Sequence, residues 1–191
     1  MQLRGFQLLL LLCGSLLATE VKAGDGWPVN WRWNHLAQPC AGDCAFAVYA
    51  GRGVLTNMTD IFGIDDVTAP WYWRFGDSGI AAGTLSRRFA SIRQFVDFEL
   101  EGGAGQRFGS QTETELWAAL YVRWIAFPWN HLLRTSIAAS TGLSWTTGIS
   151  DLERRRSGNN EGSQLLHFLS PEITFALPDK PGIELLMRFH H

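Results

Sequence analysis

The chain has 191 residues with 16 Lys and Arg against 18 Asp and Glu, a formal net charge of −2, and 46 % hydrophobic residues that include 9 Trp and 12 Phe. With no basic excess to hold a phosphate backbone, nucleic acid is excluded as a natural partner. The length suits one domain.

The first residues carry Arg4, a leucine-rich run and then small residues, which reads as a secretory signal peptide over 1–23 with cleavage after Val21-Lys22-Ala23. The apolar run from Phe6 to Ala18 is shorter than the roughly 20 residues a spanning helix needs. Removing 1–23 takes away Arg4, Lys22 and Glu20, so the basic count falls from 16 to 14 and the acidic count from 18 to 17, a net charge of −3. Residues 24–44, rich in Trp, Asn, Pro and Gly, read as a periplasmic lead-in. They contain Cys40 and Cys44 in CAGDC, expected to close a small disulfide loop in an oxidising compartment. A metal site using His35 as third ligand lacks a fourth ligand at a recognisable spacing.

Beyond the lead-in, residues 45–191 read as a β-domain of about seven strands. The expected strands cover 45–54, 80–89, 95–101, 115–125, 136–146, 164–177 and 183–191. The clearest is FVDFELE, where Val96, Phe98 and Leu100 alternate with Asp97, Glu99 and Glu101, the period-two pattern of a strand with one oily and one wet face. In the fourth, Leu116, Ala118, Leu120, Val122 and Trp124 alternate with Trp117, Ala119, Tyr121 and Arg123. In the fifth, Ile137, Ala139, Thr141, Leu143 and Trp145 alternate with Ser136, Ala138, Ser140, Gly142 and Ser144, a small polar face suited to a narrow barrel interior. Pro171 cannot donate to a ladder, so a break is expected inside the sixth strand. Connections of 55–79, 102–114 and 147–163 against 90–94, 126–135 and 178–182 suggest long outer loops and short periplasmic turns. The fold class expected is all-β, an antiparallel up-and-down outer-membrane β-barrel. Trp71, Trp73, Trp124, Trp129 and Trp145 would form its aromatic girdle.

The candidate chemistry lies in the last stretch, IELLMRFHH. Alternation puts His191 at the end of the apolar row Leu185, Met187 and Phe189, and His190 on the other face with Arg188. An imidazole on an oily strand face needs a hydrogen bond, a membrane edge or a chemical task. His167 and His190 are the site-adjacent candidates; His167, near the outer end of the sixth strand beside His191, either assists at the site or is an interfacial histidine at the membrane edge. Asp97, Glu99 and Glu101 read as interior charges in a network with Arg88 and Arg123, with Asp97 near both arginines. Ser144 lacks a nucleophile-elbow context and reads as structural. No metal set, phosphate-binding loop or dinucleotide fingerprint occurs, so no cofactor is expected; calcium held by the loop acids Asp60, Asp65 and Asp66 is left open, although they lack a recognisable ligand spacing.

Arg188-Phe189-His190-His191 resembles the approach to the His-x-Ser motif of the lipid A 3-O-deacylase (PagL-type) family of eight-stranded outer-membrane esterases. SRRFA, FVDFELEG, the W-x-x-FPW segment and LPDKPGIELLMRFHH are together similar to its acyloxyacyl hydrolase branch. The resemblance implies hydrolysis of an ester-linked acyl chain on lipid A of lipopolysaccharide. His191 would be the general base, acting on a serine two residues on and oriented by a later acid. Neither the serine nor the acid lies within the 191 residues, so the chain reads as a family member truncated at the motif, inactive as it stands. Lipid A and outer-membrane lipids are the expected partners, and a homodimer is left open. The alternatives are a non-enzymatic structural or ligand-binding outer-membrane barrel and a soluble periplasmic lipid-binding barrel.

Overall fold

The computed structural model describes residues 29–32, 36–40, 42–56, 60–61, 68–109, 112–148 and 163–191. The signal segment 1–23, His35, Asp65, Asp66 and the basic run 154–156 lie outside these.

Alternating sequence becomes strand almost throughout. The elements are β1 (Val29–Trp31), β2 (Cys44–Val54), β3 (Phe75–Ile92), β4 (Val96–Phe108), β5 (Thr114–Trp124), β6 (Arg134–Thr146), β7 (Leu165–Phe168), β8 (Glu172–Ala176) and β9 (Glu184–Arg188), with a 3-10 turn at Pro70–Tyr72. Every pairing is antiparallel. β1 and β2 share one flank of β3, and β7 and β8 share one flank of β6, so the nine pieces fill seven positions of an up-and-down sheet. The fold is therefore all-β and antiparallel, a curled sheet of seven strands forming a half-barrel. The break between β7 and β8 contains Pro171, as its missing N–H requires.

Three features depart from the sequence reading. Val29–Trp31, inside the lead-in, adds a short strand against Ala90–Ile92. β3 begins at Phe75 rather than Ile80. Residues 102–108, expected as a loop, continue β4 to Phe108. Glycine-rich GGAG looks like a turn, but Gly103 stands opposite Trp117, and a Cβ there would collide with the indole ring. The glycine leaves room for the largest interior side chain of β5. The connection 109–113 is consequently shorter than 125–133, so the sorting into long and short connections is incomplete.

The polarity of the sheet is inverted relative to a water-soluble fold. Its convex face carries Phe46, Leu85, Leu100, Leu120, Leu143 and Met187, from 43 % to 73 % exposed. Its concave face buries Asp97, Glu101, Glu115, Ser140 and Glu172, each below 7 % exposed, beside Trp117, Tyr121 and Phe168. Among the described residues no helix is long and apolar enough to cross a membrane. A β-rich curled sheet of this polarity is compatible with an outer-membrane β protein. The seven alternating positions make the first and last run the same way, and β2 and β9 are not laddered to each other among the described residues. Among the described residues, the Tyr49 side chain bridges that seam to Arg188 and His190.

Candidate functional site

Two groups of polar side chains stand on opposite faces of the last strand. On the convex face, His191 is exposed, and its backbone extends the sheet beyond β9: Leu169 N–H donates to His191 O at 2.9 Å and His191 N–H to Leu169 O at 3.2 Å. This exchange makes Leu169 and His191 a directly opposed pair. His167 is two residues away on the same exposed face, the diagonal neighbour of His191. Its Nε2 lies 2.9 Å from Thr141 Oγ1.

His190 points the other way, as alternation requires, and joins the concave cluster rather than His191. Its Nδ1 is 2.8 Å from Tyr49 Oη, which reaches from β2 across the open seam. Its Nε2 is 3.2 Å from Glu115 Oε1, within ion-pair range but outside hydrogen-bond alignment. Trp117 and Phe168 hold the imidazole edge-on, at centroid distances of 4.9 and 5.0 Å. Glu115 is also held by Arg107, 2.8 Å from Nε to Oε2.

Arg188 stands at the centre. It donates to Glu101 at 2.9 and 2.6 Å and to Glu172 at 2.9 and 2.6 Å. Its guanidinium lies between the Tyr49 and Tyr121 rings, at 5.1 and 5.2 Å from their centroids. Because Glu101 sits on β4 and Arg188 on β9, this contact spans the interior and ties distant strands of the curl together. Trp117 Nε1 donates to Glu101 at 3.0 Å. Arg123 grips Glu99 through two bonds of 2.7 and 3.0 Å, donates to Ser136 at 2.9 Å and pairs with Glu172. A second cluster, adjoining Arg123 at the start of β4, joins Arg32, Asp43, Arg88 and Asp97.

The network drawn from sequence places Asp97 near both arginines, and the structure does so, with the bonding partners now fixed. Arg88, Asp97, Glu99, Glu101 and Arg123 all face inward, but Asp97 bonds Arg88 at 3.2 Å, while Arg123 is taken by Glu99 and Glu172. Asp97 and Arg123 are directly opposed on β4 and β5, yet bidentate geometry with Glu99 wins. Cys40 and Cys44 are disulfide-bonded. The loop they close carries Gly42 at φ +85°, a left-handed turn that suits glycine, and next to it Asp43, which is buried against Arg32 and Arg88. Ser144 is buried on the concave face. Trp71, Trp124, Trp129 and Trp145 are exposed, and Trp73 is half-buried with Nε1 donating to Thr68 O at 2.7 Å.

Sequence reading missed Tyr49, Glu115, Glu172 and Asp43. Inward parity marked the first three, but nothing local says which carboxylate meets which cation. No group of His, Cys, Asp and Glu able to hold a metal occurs among the described residues. Chemically the two faces differ. The concave cluster is closely packed, with Arg188 and Glu101 side chains each 3 % exposed. The convex imidazoles are open to whatever covers the sheet. A scan against protein-family models finds no match, and searches of curated proteins and of solved structures find none either.

Proposed function

We propose that this protein is an exported outer-membrane barrel of the lipid A 3-O-deacylase type, whose convex wall faces lipid and whose His191 is the general base of an ester hydrolysis on lipid A. The observation that carries the reading is an exposed imidazole at the end of the outward row Leu185, Met187, Phe189, on an apolar wall around a charged interior. Exposed ionisable groups on a lipid-facing wall are costly and mark functional sites. The resemblance of RFHH to the family motif supplies the reaction. A serine two residues past His191 would attack the ester carbonyl as His191 takes its proton. The acyl chain would pass to the serine and then to water, with the sugar hydroxyl as leaving group. The position of that serine lies beyond the 191 residues.

Determining the DNA sequence downstream of the His191 codon is the first test. A serine codon two positions on, followed by an amphipathic strand, would justify expressing that product and measuring fatty-acid release from lipid A. His191→Ala should lower the rate by about 100-fold or more, the usual range for a general base. A rate within twofold of the parent refutes the role of His191. A stop codon after His191 refutes the esterase reading for this product and favours a structural barrel, for which the filled interior of Arg123, Arg188, Glu101 and Glu172 would serve as a rigid plug.

A further inference from the structure

His191 is not the only outward imidazole. On β6 the outward residues Ile137, Ala139, Leu143 and Trp145 are apolar apart from Thr141, and β7 adds Leu165 and His167. His167 lies directly opposite Leu143, one outward position short of Trp145. With a rise of about 3.4 Å per residue and a tilt near 40°, His167 sits about 5 Å below Trp145 along the barrel axis and His191 roughly 10 Å below it. If Trp145 marks the membrane interface, these are the depths at which acyl chains join their headgroup.

A histidine there needs a polar partner, and Thr141 is one. In the tautomer in which the Thr141 hydroxyl donates to Nε2, the imidazole proton is on Nδ1, for which no protein partner occurs among the described residues. We infer that His167, held by Thr141, is a second imidazole of the convex site that donates a hydrogen bond from Nδ1 to the carbonyl oxygen of an acyl ester on an outer-leaflet lipid. This rests on the reading of the convex wall as lipid-facing and of His191 as the base. Register supports the assignment. Leu169 opposes His191, so the position opposite His167 is the second one past His191, where the reacting ester would be attacked. A donor beside that position suits a carbonyl oxygen that gains charge as the bond forms.

The test uses the full chain refolded in detergent micelles, with lipid A as the probe and unchanged heat-modifiable mobility as the check on folding. His167→Leu should weaken lipid A binding about tenfold and His167→Gln, which keeps a donor, should recover most of that loss. Thr141→Val should weaken binding about threefold and redistribute the His167 tautomer seen by nitrogen NMR. Wild-type affinity in His167→Leu overturns the site while leaving the lipid-facing wall intact. A folded wild-type chain that binds no lipid A overturns the site together with the reading it rests on. Binding that depends on His167, with no acyl release by the longer gene product, upholds the site and removes only the esterase step.

Discussion

Replacing Arg188 by Met tests whether the interior network holds the curl. The change removes four hydrogen bonds to two carboxylates whose side chains are 3 % and 1 % exposed. Glu172 keeps Arg123, but among the described residues Glu101 is left with Trp117 Nε1 alone. Stripping one partner from a buried ion pair costs about 3–5 kcal/mol, because the remaining charge stays out of water. The lost stacking on Tyr49 and Tyr121 adds to it. Against a total stability of about 5–15 kcal/mol this is a large fraction. Neutralising the stranded group restores part of it, so Arg188→Met with Glu101→Gln should be less destabilised than the sum of the single changes, with a coupling of about 1–3 kcal/mol. Urea unfolding of the chain refolded in lipid vesicles, followed by tryptophan fluorescence, measures all four corners of the cycle. A loss below about 1 kcal/mol in Arg188→Met would refute the claim that this network ties β9 to β4.

Three further outcomes follow from the same geometry. Leu120→Arg, at a convex position 50 % exposed, should cost about 2–4 kcal/mol in a bilayer if that face meets lipid; the same change on a water-facing wall stays within about 0.5 kcal/mol, so vesicle titration decides between barrel and soluble alternative. Gly103→Val should destabilise by about 1–3 kcal/mol through collision with the Trp117 ring, and pairing it with Trp117→Leu should recover part of the loss in the same assay. Serine at both Cys40 and Cys44 should lower stability by about 2 kcal/mol, the loop-closure value for so short a ring, as read from the urea midpoint; an unchanged midpoint means that Asp43 is held by Arg32 and Arg88 without it.

The sequence by itself determined which side of the sheet each residue faces. Period two is a local property, so Leu120 and Trp124 outward, Tyr121 and Arg123 inward, and His190 and His191 on opposite faces follow from alternation alone. Strand ends depended on contacts between strands. GGAG reads as a loop until Trp117 is seen to need the space above Gly103, and Val29–Trp31 becomes a strand because the end of β3 offers it a partner. Pairing within the interior was likewise decided only by tertiary structure. Asp97 lies opposite Arg123 in the ladder, yet Arg123 turns to Glu99 and to Glu172, 49 residues away, while Arg188 meets Glu101 across 87 residues. Long side chains in a narrow, curled interior choose partners by register, curvature and bidentate geometry, and none of these is written in the order of neighbouring residues.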